Sequence, residues 1–170
     1  FQLRWPASRV NLESAVLMDL YGSSINEQFN EYAYPAGQAG LGYSISAGLE
    51  GVTLHVSGYS SSALELLEEI VRNLQKIRID EKRFSNLKDA YVRSLRDFPK
   101  SPAWQIARHR ARKIRWETVY EPEDMARVAE GVRLQHVRDF SATVFQRVYM
   151  QGLAHGNLSQ SEAERAARSV

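Results

Sequence analysis

The chain has 170 residues, a formal net charge of +2 at pH 7 and no cysteine. This length suits one domain that buries its own core, and the charge is too small to indicate nucleic acid or an anionic membrane as a partner. The lack of cysteine excludes disulfides and thiolate chemistry within the chain. No apolar run approaches the roughly 20 residues that span a bilayer.

The first residues alternate in polarity, and a long amphipathic segment follows them. Phe1, Leu3 and Trp5 alternate with polar residues, which predicts a short strand that the following proline ends. Ser8 is a suitable cap for a predicted helix over residues 9–34. The apolar stripe of this helix recurs every three or four residues, at Leu17, Tyr21, Ile25, Phe29 and Tyr32.

Glycine and proline mark special positions in and after this helix. Gly22 lies in its interior, where a glycine costs on the order of 1 kcal/mol relative to alanine, so we expect close packing there. Pro35 is expected to end the helix, because it lacks an amide hydrogen and its ring clashes with the preceding turn. Gly37 and Gly40 then allow the chain to reverse.

A β-hairpin is predicted next. Hydrophobic residues alternate with small polar ones over residues 41–47 and 52–57, which is the two-residue period of a half-buried strand. The turn Gly48-Leu49-Glu50-Gly51, bracketed by glycines, joins the two strands. One face of the hairpin is therefore predicted to carry Leu41, Tyr43, Ile45, Ala47, Val52, Leu54 and Val56.

The remainder is predicted to be mainly helical. Capping signals and apolar periodicity predict helices that begin near Ser62, Asp80, Ser101, Glu121, Leu134 and Ser159. Residues 147–154 alternate again and predict another strand, with Val148, Met150, Gly152 and Ala154 on one side. The stripes of the second and third helices are Ala63, Leu67, Ile70, Leu74 and Ile77, and Phe84, Leu87, Tyr91, Leu95 and Phe98.

This order of elements is a split β-α-β arrangement with extra helices before its last strand. The predicted fold is α+β, with a mostly antiparallel β-sheet covered on one face by α-helices. Residues 1–170 are predicted to form a single domain. Because the chain opens without a methionine and stops inside a helical pattern, we expect it to be a fragment of a longer protein.

No motif indicates catalysis or metal binding within the chain. Zinc sites need three or four converging ligands, and neither His-Glu-x-x-His nor His-x-x-Glu-His occurs. The glycines of residues 37–42 leave a helix and enter a strand, the wrong order for a phosphate site. We predict no catalytic residue, no cofactor and no metal, and we interpret the histidines as surface or hydrogen-bonded residues: His55, His109, His136 and His155.

The strongest charge feature is the basic segment from Arg108 to Arg115, with cations at Arg108, Arg110, Arg112, Lys113 and Arg115. Such a helix could contact a polyanion or an acidic peptide, and the alternative is a solvated face. Acidic residues that could pair with it are Glu65, Glu68, Glu69, Glu121, Glu123 and Asp124. Aromatic residues on the helical stripes are predicted to lie in the core: Tyr21, Phe29, Tyr32, Phe84, Tyr91, Phe98 and Trp104.

Several motifs together resemble the insulinase/pitrilysin family of zinc metallopeptidases. Residues 30–41 read Asn-Glu-Tyr-Ala-Tyr-Pro-Ala-Gly-Gln-Ala-Gly-Leu, and residues 51–59 read Gly-x-x-Leu-x-Val-x-Gly-Tyr. Further matches are Ile-Asp-Glu-Lys-Arg-Phe at 79–84, Lys-x-x-Tyr-x-Arg-Ser-Leu at 88–95, Trp116 before an acidic helix, and Ala-His-Gly-Asn at 154–157. The resemblance covers most of the chain, and the matching part is a non-catalytic repeat in the third of the family's four domains.

The resemblance implies a parent that is a zinc metalloendopeptidase and cleaves peptides inside a closed chamber. Its zinc is expected in the N-terminal domain, where the family carries His-x-x-Glu-His. The arginine and tyrosine that reach the active site lie in the domain after this one, so no catalytic residue is carried over. The implied partners of this chain are the neighbouring domains and peptide substrates, in a periplasmic or cytoplasmic compartment.

Two further interpretations stay open. The chain could be a protein- or polyanion-binding module that acts through the basic helix Arg108 to Arg115. Alternatively, the parent has lost its zinc and is a structural homologue of the peptidases. Neither nucleic acid nor a membrane is predicted as a partner of the chain. A sheet separated from its neighbouring domains could expose apolar surface and self-associate.

Overall fold

The computed structural model describes residues 1–6, 10–58, 62–115 and 118–170, with only the backbone for residues 31–34. The strands are β1 Gln2–Arg4, β2 Leu41–Gly48, β3 Gly51–Gly58 and β4 Tyr149–Gln151. The helices are α1 Leu12–Gln38, α2 Ser62–Leu74, α3 Glu81–Arg96, α4 Ala103–Arg115, α5 Pro122–Gly131, α6 Leu134–Val144 and α7 Gln160–Ser169, with a short 3₁₀ helix Phe98–Lys100 after α3. None of the described helices is both long and apolar enough to cross a membrane.

The four strands form one antiparallel sheet in the order β2-β3-β1-β4. Hydrophobic side chains on one face are buried beneath the helices, among them Leu3, Ile45, Val52 and Leu54. The alternate residues of the long hairpin, such as Ser44 and Thr53, are exposed. The predicted α+β fold, with helices on one face of an antiparallel sheet, is confirmed.

Helix α1 crosses the buried face of the sheet. Asn11 caps it, since its side chain accepts from the Ser14 backbone N–H at 2.8 Å and the Ser14 hydroxyl accepts from the Asn11 N–H at 2.8 Å. The predicted cap Ser8 and the first predicted turn fall partly outside the described residues. The side chain of Tyr32, which was predicted to continue the stripe, is likewise not among those described.

The prediction that Pro35 ends α1 is wrong, because the helix continues to Gln38. A proline loses the hydrogen bond of its missing N–H and its ring crowds the preceding turn, but its own carbonyl can still accept a hydrogen bond. Here the Ala39 N–H donates to the Pro35 carbonyl at 3.1 Å. The chain reverses at Gly40, whose φ of 71° lies in the left-handed region that glycine tolerates.

The predicted strand over residues 147–154 is also too long. β4 covers Tyr149–Gln151 alone, and all three of its residues are exposed. Its partner β1 has only three residues, Gln2–Arg4, so the ladder can extend no further. Alternation over the segment therefore reflects local composition and not a buried strand face.

The other helices follow their capping signals closely. Asp80 accepts from the Arg83 N–H at 2.7 Å, and Ser159 and Glu162 form the predicted reciprocal box. In α3 only Phe84 is fully buried, and Leu87, Tyr91 and Leu95 are half-buried. The predicted stripes are too long, because Phe98 lies beyond the end of α3 and Ile77 beyond the end of α2. In α2 the most buried residue of the first turn is Leu64, while Ala63 is half-buried.

The predicted close packing at Gly22 is confirmed. A Cβ built on Gly22 would lie 2.8 Å from the Cβ of Ala47 in β2, closer than real Cβ atoms approach. The absence of a side chain at this position therefore sets how near α1 lies to the sheet.

A partly buried hydrogen bond joins α1 to α3. The Tyr91 hydroxyl donates to Asp19 Oδ2 at 2.7 Å. Burial raises the pKa of Asp19 above its usual value, against the smaller lowering effect of the Tyr91 hydrogen bond. Burial first, and then the charge and hydrogen bond of Asp19, raise the pKa of Tyr91. The aspartate is therefore held in a site that disfavours its charged form.

We expect Gly22→Ala to destabilise the chain by about 1–2 kcal/mol, since overpacking outweighs the better helix propensity of alanine. Gly37→Ala is the matched control, because no atom lies within 4 Å of a Cβ at that position of α1. Urea unfolding should show Gly37→Ala at least as stable as the parent sequence. Adding Ala47→Gly to Gly22→Ala should restore part of the lost free energy of unfolding, because it removes the Cβ that the new side chain would meet. A Gly22→Ala variant as stable as Gly37→Ala would contradict the packing account.

The Asp19–Tyr91 pair predicts a pH-dependent stability. A carboxyl whose pKa is raised in the folded state binds its proton more tightly when folded, so its stabilising contribution is lost as pH rises through the folded pKa. Asp19→Asn should therefore be more stable than the parent sequence at pH 7, and the difference should shrink near pH ~4. Tyr91→Phe should cost on the order of 1–3 kcal/mol at pH 7, because it leaves a partly buried carboxylate without its donor.

Urea unfolding at the two pH values checks this, with the exposed Asp89→Asn in α3 as control. Asp89→Asn should show no comparable pH-dependent gain. An Asp19→Asn variant that is less stable than the parent sequence at pH 7 would refute the assignment.

Candidate functional site

The uncovered face of the sheet carries short polar side chains. Ser44 stands directly opposite His55, and Ser46 opposite Thr53, in the β2–β3 pair. Residues that stand opposite each other in a ladder point to the same face. The exposed side chains on this open face are Ser44, Ser46, Thr53, His55, Ser57, Arg4, Tyr149 and Gln151.

This open face offers hydrogen bonds and little charge. Its hydroxyls and its amide can both donate and accept. Arg4 lies 3.9 Å from Glu50 at the hairpin turn, a loose and exposed ion pair that contributes little energy. Among the described residues on this face no side chain is acidic. The described part of this surface can therefore both donate and accept hydrogen bonds and carries no negative charge of its own.

The four histidines lie on different elements of the fold. His55 is exposed on the open face and His155 is exposed in the loop after β4. His136 lies in the first turn of α6, where its Nδ1 accepts from the Arg133 backbone N–H at 3.3 Å. In the described part of the chain, no three His, Cys, Asp or Glu residues are grouped as a metal would require. The described residues therefore do not fit a zinc ion.

His109 is mostly buried and lies beside an acidic partner. Its ring packs edge-on against Phe98, with centroids 5.1 Å apart. Its Nε2 lies 3.4 Å from Glu121 Oε2, and, after the larger effect of Lys113, this contact contributes to the lowered pKa of the Glu121 carboxyl. The side chain thus anchors α4 to the 3₁₀ helix and to the segment that precedes α5.

The predicted basic helix is α4, and only part of its charge is neutralised. Lys113 hydrogen-bonds Glu121, and this contact is the main cause that lowers the pKa of the Glu121 carboxyl. Three of the other acidic residues that were predicted to pair with this helix form ion pairs with arginines outside α4. Glu68 lies 3.9 Å from Arg165, Glu69 3.6 Å from Arg72, and Asp124 3.2 Å from Arg127.

The prediction that Trp104 lies in the core is wrong, because 59% of its surface is exposed. Periodicity alone places an aromatic residue on a stripe without showing which stripe faces the core. The Arg108 guanidinium lies 5.0 Å from the centre of the Trp104 ring, within cation–π range. The predicted core positions Tyr21, Phe29 and Phe84 are buried as expected.

An apolar cavity of about 290 Å³ lies between the end of β1 and the adjoining ends of α1 and α6. Trp5 borders it and donates from Nε1 to the Leu49 carbonyl at 2.7 Å. Sequence reasoning did not find this cavity, because its walls come from segments far apart in the chain. Further lining residues are Met18, Phe140 and Val144.

The comparisons with known proteins agree on one family. A family model described as the middle or third domain of peptidase_M16 matches residues 1–128. Human insulin-degrading enzyme is 32% identical over 144 residues, which is 85% of this chain and 14% of that enzyme. A Schizosaccharomyces pombe protein named putative zinc protease mug138 is 25% identical over 165 residues, which is 97% of this chain and 17% of that protein.

The fold agrees with these relatives. A solved structure named "Predicted insulinase family protease from Yersinia pestis" superposes with a TM-score of 0.64 at 12% identity, and the match covers 99% of this chain and 42% of that one. At this identity the likeness concerns the fold alone. The chain spans about one seventh of the human enzyme's length, given the 14% share. The chain belongs to the insulinase, or peptidase_M16, family, in which it corresponds to the middle or third domain.

Proposed function

We propose that this chain is a non-catalytic domain of a larger zinc metalloendopeptidase that degrades peptides, and that it forms one wall of the substrate chamber. The observation that carries the proposal is the one-sided sheet. Its hydrophobic face is covered by helices, while Ser44, Thr53 and His55 on the other face are exposed. A domain that lines a chamber needs a rigidly packed layer behind the sheet. It also needs an exposed surface that binds peptides weakly and reversibly.

The open face would contribute hydrogen bonds, not chemistry. Peptide backbones present one donor and one acceptor per residue, and hydroxyl side chains such as Ser46 and Thr53 can pair with either. Such exposed contacts are individually weak, since each exchanges a bond to water for a bond to protein. Weak and numerous contacts hold a substrate within reach of a distant catalytic centre and still permit its release.

Zinc belongs, in this proposal, to another part of the parent protein. The described residues do not fit the ion, and the S. pombe relative bears the name of a zinc protease. The chain's partners are then the neighbouring domains of the same polypeptide and the peptide substrates. Residues 1–170 act as a single domain within that longer protein.

The test is zinc content and peptide cleavage, measured side by side on the purified chain and on the full-length parent. We expect a metal-free, inert chain and a parent that holds zinc and loses cleavage when a chelator removes it. Stoichiometric zinc or chelator-sensitive cleavage in the chain itself would overturn the non-catalytic assignment. A parent that folds but holds no zinc would instead identify a structural homologue of the peptidases.

A further inference from the structure

Helix α4 is attached to the rest of the molecule along one side only. Gln105, Ile106 and His109 are its half-buried residues, and none of its residues is fully buried. At 100° per residue these three positions share one side of the helix. Every other residue of α4 is exposed.

The opposite side of α4 carries an apolar stripe. The stripe consists of Trp104, Ala107, Ala111 and Ile114, at spacings of three, four and three residues. This is the spacing of one seam along a helix. Trp104 is 59% exposed and Ile114 is 88% exposed, so the two large members at its ends are uncovered. An exposed seam of this kind signals a contact surface more than a solvated face.

Arginines border the stripe on both sides. By helical geometry Arg110 lies on one side, and Arg108 and Arg115 lie on the other. Helix α4 contains no acidic residue, and Glu121 neutralises only Lys113. No acidic side chain within the described ranges pairs with these three arginines. The outer surface of α4 is therefore an apolar stripe that is flanked by arginines on both sides.

We propose that this outer face of α4 docks an acidic amphipathic helix of a partner protein. Ala107 and Ala111 leave the middle of the seam flat, which lets a second helix approach closely, while Trp104 and Ile114 provide anchors at the ends. Acidic residues flanking the partner's own seam would meet the arginines, as charges flanking a coiled-coil seam do.

Other occupants fit less well. A second copy of α4 would set arginines against arginines. A membrane surface gains its binding from buried apolar area, and two alanines in the centre of the seam supply little. A polyanion would engage the arginines but leave the seam uncovered. The seam is roughly 15 Å long from Trp104 to Ile114, given the rise of about 1.5 Å per residue, so a weak or transient complex is expected.

The test measures the anisotropy of a labelled synthetic helical peptide as the full-length parent, or separately the 170-residue chain, is added. The peptide carries Leu at the seam positions and Glu at the flanking positions, where like charges also prevent its self-association. A control peptide has the same composition with the seam period scrambled. We expect the patterned peptide to bind at least about 10-fold more tightly than the scrambled one, with affinity falling as salt rises.

Variants separate the two parts of the surface. Ile114→Ser should weaken binding of the patterned peptide about 5- to 10-fold, whereas Leu153→Ser, at a residue that is 85% exposed elsewhere, should not. Arg110→Gln combined with Arg115→Gln should weaken binding and flatten its salt dependence, whereas the exposed Lys82→Gln should not. All these positions are exposed, so melting temperatures should stay unchanged.

Four results would overturn the proposal. Binding of the patterned peptide by the 170-residue chain but not by the full-length parent would show that a neighbouring domain of the same polypeptide covers this face. If the scrambled peptide or polyglutamate binds as tightly as the patterned peptide, the surface recognises negative charge alone and is a polyanion-binding surface. Tighter binding to phosphatidylserine vesicles than to the patterned peptide would show a membrane surface. No binding of the patterned peptide at low salt would show a solvated helix face. None of these results depends on whether the parent contains zinc, so they test the docking surface independently of the chamber role.

Discussion

The packing of α1 between the sheet and the outer helices is the constraint on which the rest of the structure depends. Val16, Leu20, Tyr21, Ile25 and Phe29 are essentially inaccessible to solvent. Fully burying a side chain of this kind contributes about 1.5–3 kcal/mol, so this single helix supplies a large share of the driving force. Gly22 brings it against Ala47, and the Tyr21 hydroxyl donates to the Leu74 carbonyl at 2.9 Å in the interior.

That packing organises the segments on the far side of α1. The connection between α2 and α3 has no regular structure, so its backbone groups need side-chain partners. Gln28 of α1 accepts from the Arg78 N–H at 2.7 Å, and Ser141 of α6 donates to the Gln75 carbonyl at 3.2 Å. Arg138 of α6 donates to the Ile77 and Ile79 carbonyls at 3.3 and 3.2 Å. One helical layer thus backs the sheet, and α4 remains at its margin.

Local signals predicted much of this arrangement. The alternation around Ile45 and Leu54 identified both strands of the hairpin and their buried face, because a two-residue period requires no knowledge of distant segments. An interior glycine was enough to predict close packing at Gly22. Capping signals at Asp80 and Ser159 located helix starts for the same reason, since a cap bonds backbone groups only two or three residues away.

Most of the wrong or missed predictions concern features that depend on contacts with segments far away in the sequence. The length of β4 is limited by the three residues of β1, which lie about 150 positions earlier in the sequence. The exposure of Trp104 depends on which side of α4 meets Phe98 and Glu121. The cavity beside Trp5 is lined in part by α6, from the distant end of the chain. Pro35 was misjudged for another reason. A proline removes one hydrogen bond and crowds the preceding turn, which can kink a helix without ending it, and α1 continues past Pro35 to Gln38.

The central claim is that the uncovered face of the sheet is the surface that peptides contact. It is tested most directly by steady-state cleavage of a long peptide by the full-length parent carrying Thr53→Trp. Asn86→Trp, on the exposed side of α3, is the control. The account predicts that Thr53→Trp changes kcat/KM several-fold through KM, with zinc content unchanged, and that Asn86→Trp has no effect. Equal kinetics for the two variants and the parent would contradict it.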